Sequence, residues 1–196
     1  MAIQCFLRQT HRNKELLIIA DGEDVRDLVP ENEHSIRLVA IEEGHTVGEK
    51  RNFGADLAMG QIIAHFDDDD YSAPGRLTDQ IGRMEKSGKA VTGYSNMLFT
   101  DGQHWWRYRG VGNYAVGTSF CYRKDWWQQH KFPAKQVGED GDFMKMANSE
   151  RQLIAVDAGE LMVASVHAGN TSPRRLSGGQ WTELKDFTGV PGFRVP

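Results

Sequence analysis

Residues 61–74 read Gln61-Ile-Ile-Ala-His-Phe-Asp-Asp-Asp-Asp-Tyr-Ser-Ala-Pro74, and the fold turns on them. Residues 61–66 form a short apolar run whose β-branched content suits a strand buried on both faces, as in a sheet flanked by helices. Beyond Pro74, Leu77, Ile81 and Met84 recur at helical spacing and mark the buried face of a helix. The four aspartates between them therefore sit where a strand ends and a helix begins. In open α/β sheets, ligands bind in the crevice outside the carboxyl ends of strands. Adjacent carboxylates raise one another's pKa, so a cation normally offsets such a run. A hard divalent ion, Mn2+ or Mg2+, takes carboxylate oxygens and commonly completes its shell with substrate phosphates. A solvated acidic loop is the plain alternative, since charge runs usually face water. The strand end on one side and the helix start on the other argue against it. A calcium loop is excluded by spacing, because no Gly and later Glu fall where such a loop needs them.

Two more apolar runs of the same character lie upstream, at 15–20 and 36–41. Between the second of these and residue 61, Phe53 and Leu57 share a face at helical spacing, and Gly60 supplies a stop. Residues 48–59 thus read as the helix of a strand, helix, strand unit, and the first three strands as members of one parallel sheet. Downstream, residues 89–94, 97–100 and 104–109 read as shorter strands joined by turns such as Asp101-Gly102, an antiparallel arrangement. A strand at 116–122 leads into a helix at 124–130. Gly138-Glu-Asp-Gly-Asp142 opens another helix, running through Ala147, and strands at 153–156 and 161–166 follow. From Gly169 onward, glycines and prolines predict mostly irregular chain, so residues 1–172 read as the core and 173–196 as a C-terminal segment.

Bulk composition excludes several function classes. The 196 residues suffice for one well-packed domain. With 23 basic and 27 acidic residues and a net charge of −4, there is no general pull toward nucleic acid or an anionic membrane. Cys5 and Cys121 lie far apart without metal-ligand spacing, which signals neither a disulfide framework nor a zinc site and fits a reducing cytoplasm. No stretch approaches the roughly 20 apolar residues of a spanning helix, and residues 1–9 contain no signal-peptide core.

Several ordered motifs together resemble glycosyltransferase family 2, whose members adopt the GT-A fold. Phe66, the aspartates 67–70 and Pro74 are similar to that family's strand, D-x-D-D, x-x-x-P arrangement. Gln9-Thr-His-Arg-Asn-Lys-Glu-Leu-Leu-Ile-Ile-Ala-Asp-Gly22, Gly48-Glu-Lys-Arg-Asn-Phe-Gly54 and Gly138-Glu-Asp140 resemble three further family segments. The likeness runs from about residue 2 to 172. It implies an α/β fold, a Rossmann-like mixed sheet flanked by helices, and transfer of a sugar from a nucleoside diphosphate sugar to a hydroxyl acceptor. The transfer would be metal-dependent, with Mn2+ or Mg2+, and inverting.

The resemblance also implies roles. Asp67 would face the nucleotide ribose or the metal, Asp69 would hold the metal against the diphosphate, and Asp68 would lie beside the nucleotide. Arg51, at the head of a helix whose N-terminus itself favours phosphate oxygens, would approach the nucleotide. His167, at a strand end, would reach the metal, and Asp140 would accept the acceptor's proton. Each has a structural alternative. Arg51 could be an ordinary surface arginine and His167 a structural histidine. Asp140 could be a helix cap serving the amide of Phe143 or its neighbour. Trp105, Trp106, Tyr108, Trp126 and Trp127 could stack on sugars but suit core packing better. Gly117-Thr118-Ser119 could let an acceptor approach the backbone closely.

Two departures from the family stand out. Ala20-Asp21-Gly22 holds one acidic residue where two are usual, so the contact to the nucleotide base falls to Asp21. The strand that the family places before residue 16, between the 16–20 and 62–66 strands, is also missing, as in an N-terminally shortened chain. Buried unpaired backbone groups cost about 1–3 kcal/mol each, so the sequence predicts that the two strands close on each other or that a second copy donates a strand. The competing functional reading is a degenerate nucleotide- or metal-binding module of the same fold. A nucleotidyltransferase would need a Gly-rich basic triphosphate loop, and none is seen.

Overall fold

The computed structural model describes residues 1–31, 33–171 and 176–193. Ser172 and Pro173, at the boundary suggested by the sequence, lie outside them. Helix α1 (Ala2–Leu7) buries Cys5 and Phe6. Strands β1 (Leu16–Asp21) and β2 (Ile36–Ile41) pair in parallel from Leu16↔Ile36 to Asp21↔Ile41 and form a two-stranded sheet of their own. Helix α2 (Val47–Leu57) starts at a capping box: Thr46 Oγ1 accepts from Glu49 N, and the Glu49 carboxylate accepts from Thr46 N. The shared face of Phe53 and Leu57 is not the buried one. Phe53 is 42% exposed, and α2 buries Gly48 and Ala55 instead. Close approach explains this, since a Cβ on Gly48 would collide with the Pro133 carbonyl and one on Gly54 would touch Ile19. Small residues, invisible to a hydrophobic pattern, set that contact.

The second sheet has eight strands: β3 (Ile62–Ala64), β4 (Tyr71–Ser72), β5 (Val91–Thr100), β6 (Trp105–Arg109), β7 (Cys121–Arg123), β8 (Leu153–Asp157), β9 (Met162–Ser165) and β10 (Trp181–Glu183). Strand β5 is its spine, antiparallel to β6 and β7 and parallel to β8 and β9. It is one strand where the sequence suggests two, with a register slip against β8 between Tyr94 and Asn96. Helices α3 (Arg76–Ser87), α4 (Lys124–Gln129) and α5 (Glu139–Ser149) complete the fold. The first three strands do not form one parallel sheet, because β3 pairs antiparallel with β7 and belongs to the larger sheet.

Direct closure of β1 on β3 does not occur either. The two strands face one groove, lined by Leu16, Leu17 and Ile19 on one side and Ile62, Ile63 and Ala64 on the other. Glu15 holds the base of β1 by accepting from Met59 N at 2.6 Å and Gly60 N at 3.0 Å, and Gly54 of α2 seats against Ile19. The expected penalty presumed burial. Most residues of β1 and all of β3 are only half-buried, so backbone groups on the groove side can turn to water and do not carry the cost of a buried unmade bond.

Beyond residue 176 the described chain is largely irregular, yet it belongs to the core. Trp181 of β10 meets Phe99 and Tyr108, each at 4.8 Å between ring centroids. Phe187 and Phe193 pack on Trp105 at 5.1 and 5.3 Å. We expect Trp181→Ala to lower the unfolding free energy by about 2–3 kcal/mol, below the 3–5 typical of a fully buried aromatic. Phe53→Ser should cost less than about 1 kcal/mol. Urea titration of both variants checks the pair.

Candidate active site

Strand β3 delivers His65, Phe66 and the acidic run to the rim of the groove, and β4 and α3 carry the chain away beneath it. The run does not behave as one unit. Asp68 is exposed, Asp67 and Asp69 are half-buried, and Asp70 is buried. Asp70 accepts from the Thr118 hydroxyl at 2.5 Å and from Ser165 N at 2.9 Å. Burial and the neighbouring charges of Asp67 and Asp69 push its carboxyl up to about 7, against the opposing pull of those hydrogen bonds. The Ser165 hydroxyl donates to the Asp69 carbonyl at 2.6 Å. The end of β9 thus holds the loop from the far side.

Arg76, at the start of α3, is fully buried beneath the loop. It donates to Ser72 Oγ at 2.8 Å, Gln80 Oε1 at 3.1 Å and the Thr118 carbonyl at 3.4 Å, and lies 4.7 Å over the Phe66 ring. Gln80 in turn donates to the Ser119 carbonyl at 2.7 Å. Residues 116–119 form a tight turn, with a 3-10 segment at Gly117–Ser119 in place of the first part of the strand suggested at 116–122, which begins only at Cys121 as β7.

The structure brings Asp69 and His167 together, with 2.7 Å between Nε2 and Oδ2, and adds Asn170, whose side-chain amide donates to the same oxygen at 3.1 Å. Sequence reasoning missed Asn170. Its position three residues after His167 in a turn, where Asn170 N donates to the His167 carbonyl, was the only signal. Gly169 N donates to His167 Nδ1, which leaves the proton of the neutral ring on Nε2, facing Asp69. Among the described residues no three carboxylate, histidine or cysteine side chains converge on one point. The half-buried carboxylates of Asp67 and Asp69 fit a hard cation that keeps diphosphate and water oxygens. His167 fits as an Nε2 ligand only in the other neutral tautomer, with the ring proton on Nδ1.

Asp140 stands in the first turn of α5, whose N-cap is Gly138. Its carboxylate accepts from Gly141 N at 2.7 Å, not from Phe143, so the cap role does not describe it. Glu139 beside it is buried and accepts from Arg51 at 2.5 Å. Burial pushes the Glu139 carboxyl up, and the Arg51 charge opposes it. One cavity of about 1440 Å3 is lined by the four aspartates, Arg51, Asp140, His167 and Asn170. Asp21 is not on its wall. Its carboxylate is held by Lys50 at 2.9 Å and Gly44 N at 3.1 Å, and the Lys50 bond keeps its pKa below the usual range.

The sequence model for glycosyl transferase family 2 fits residues 2–142. The chain belongs to that family. A UDP-Glc:alpha-D-GlcNAc-diphosphoundecaprenol beta-1,3-glucosyltransferase, WfaP of Escherichia coli, is 32% identical over 98 residues, covering 48% of this chain and 38% of that protein. The fold is that of GT-A glycosyltransferases. S. aureus TarS 1-349, solved in complex with UDP, superposes with a TM-score of 0.65 at 17% identity over 84% of this chain and 55% of that one. The mannosyltransferase PcManGT from Pyrobaculum calidifontis, solved with GDP-Man and Mn2+, gives 0.65 at 13% identity over 87% and 53%. The chain thus spans about half or less of the length of these relatives. Among its described residues no helix is long and apolar enough to cross a membrane.

The histidine that precedes the loop supplies a pH test of this packing. His65 is buried, with Nδ1 donating to the Gly117 carbonyl at 3.1 Å. Burial, assisted by the Arg51 charge, lowers its pKa well below the ordinary value. An unfolded histidine titrates near about 6.5. Below that pH the unfolded chain binds a proton that the folded one refuses, so the stabilisation is full above about 6.5 and declines as pH falls. Removing the histidine should flatten the decline between about pH 6.5 and 5 by up to roughly 1.4 kcal/mol per pH unit. Chemical denaturation of His65→Asn and the parent across that range, in the presence of a chelator, measures the difference in slope.

Proposed function

We propose that this chain transfers a sugar, with inversion, from a nucleoside diphosphate sugar to a hydroxyl acceptor. The observation that carries the reading is that Asp140 and the acidic loop face the same cavity, joined by the turn at 116–119. The relatives support it, since TarS was solved with UDP and PcManGT with GDP-Man and Mn2+. Asp69 and Asp67 would hold Mn2+ or Mg2+, with His167 joining through Nε2 in the tautomer that carries its proton on Nδ1. The bound cation would neutralise the diphosphate as it leaves. Asp67 and Asp68 would meet the ribose and nucleotide, and Arg51 would supply positive charge on the same wall, shared with Glu139.

In the chemical step Asp140 accepts the proton of the acceptor hydroxyl while that oxygen attacks the anomeric carbon. The bond from that carbon to the diphosphate oxygen breaks on the opposite face, which inverts the configuration. The electron pair leaves with the diphosphate. General base catalysis of this kind contributes about 10²–10⁴-fold.

A second reading, a module that binds nucleotide and metal without turnover, has two observations in its favour. Strands β1 and β2 stand apart from the main sheet, and Asp21 lies off the cavity wall.

Binding and turnover separate these readings. Calorimetry with UDP and GDP, with and without Mn2+, should show metal-dependent binding that Asp69→Asn weakens strongly. Equal affinity in a chelator would overturn the metal site. Asp140→Asn should keep binding while its turnover of UDP-glucose, UDP-N-acetylglucosamine or GDP-mannose falls about 10²–10⁴-fold. Metal-dependent binding with no turnover in the parent would favour the module.

A further inference from the structure

The turn at 116–119 touches both halves of the site. Gly117 lies under Asp140. A Cβ built on Gly117 would fall on the Asp140 carboxylate and lie 2.6 Å from its Cβ and 2.7 Å from its Cγ, inside the 3.0 Å that real Cβ atoms keep. The backbone does not call for glycine here, since Gly117 is absent from the positive-φ glycines and sits in a 3-10 turn that alanine adopts readily. Space for Asp140 is the reason a side chain is excluded. One residue on, the Thr118 hydroxyl donates to Asp70 Oδ2 at 2.5 Å, both residues being buried. Asp70 Oδ1 meets Ser165 N, and Ser165 Oγ meets the Asp69 carbonyl. The turn is itself fixed from below: His65 Nδ1 donates to the Gly117 carbonyl, Arg76 to the Thr118 carbonyl and Gln80 to the Ser119 carbonyl.

We propose that Gly117 and Thr118 are positioning residues: together they set where the Asp140 carboxylate stands relative to the acidic loop, Gly117 as the surface on which Asp140 rests and Thr118 as the latch on Asp70. Neither touches the reacting atoms. This inference rests on the proposed transferase reading, in which Asp140 serves the acceptor and the loop serves the donor. Their separation then governs alignment of the attacking oxygen with the anomeric carbon. A misplacement of about 1 Å can cost about 10²-fold in rate, whereas donor binding, which needs only the loop side, is indifferent to Asp140.

The test uses the whole chain with Mn2+ and UDP-glucose, UDP-N-acetylglucosamine or GDP-mannose, and follows release of the nucleoside diphosphate. Gly117→Ala should lower turnover at least tenfold with the donor Kd within about twofold, and its crystal structure should show the Asp140 carboxylate displaced by roughly 0.5–1 Å. Thr118→Val, which keeps the shape and removes the donor, should lower turnover at least tenfold, and Thr118→Ser should restore it to within about twofold. A purely structural role predicts otherwise: lower melting temperatures, with turnover per folded molecule equal to the parent in all three. That outcome, or an unmoved Asp140 carboxylate in Gly117→Ala, overturns the proposal. Asp140→Asn, run alongside, keeps the two ideas apart. If it retains full turnover the transferase reading fails at its base, and the Gly117→Ala structure alone then decides whether the glycine sets the carboxylate's position.

Discussion

A fully buried guanidinium, that of Arg76, is the constraint on which the site depends. Burial lowers the Arg76 pKa, and the charges of Asp67 and Asp70 are among the groups that oppose this. Its three hydrogen bonds go to neutral oxygens on β4, α3 and the 116–119 turn, and its face lies over Phe66. A buried charge stripped of a partner is far costlier than an ordinary lost hydrogen bond. Movement of any one of these elements therefore breaks a bond that solvent cannot replace. The acidic loop inherits that rigidity, because it is bounded by Phe66 on one side and by Ser72 on the other.

Above this buried cation, four consecutive aspartates coexist because the fold gives them different surroundings. Like charges this close cannot all remain ionised at little cost. The structure divides them: Asp70 turns inward to Thr118 and Ser165 and has the raised pKa, while Asp68 faces solvent. Asp67 and Asp69 remain at the surface of the cavity, and Asp69 is already engaged by His167 and Asn170. The loop thus has an anchoring member and members free to meet a ligand.

What the sequence made legible follows from where its patterns are strong. The strand end, the acidic run and the helix start at residues 61–77 are local signals, and β2 and the turn at Asp101-Gly102 emerge as read. Leu77 and Met84 are buried in α3 as their spacing suggests. Arg76 and Gln80 on that same helix are buried too, and a polarity pattern assigns such residues to solvent. Their inward direction is decided by the turn at 116–119, some forty residues away. The face of α2 was misread for a related reason, since glycine and alanine can mark a close contact as firmly as leucine does. Asn170 and the two-residue strand β4 carry no periodicity at all. The separation of β1 and β2 from the main sheet could not be read from energies of buried bonds, because the edges concerned are only half-buried.

Two adjacent carboxylates, Glu139 and Asp140, show how one short motif is split into two tasks by its surroundings. Their helix begins at Gly138, whose left-handed backbone lets the chain turn sharply into α5, so both acids fall in the first turn. Neighbouring residues on a helix point about 100° apart. Glu139 therefore turns into the protein, where burial would favour its neutral form and Arg51 meets it. The Arg51 charge that could otherwise have drawn Asp140 aside is thereby occupied, and its guanidinium is steadied against the Phe132 ring at 5.6 Å. Asp140 is left with one bond to its own neighbouring amide and a glycine beneath it. A carboxylate so lightly held keeps lone pairs facing the cavity, as the proposed base requires. Their surroundings alone set the two apart: exchanging them would pair and bury the proposed base and leave Glu139 facing the cavity.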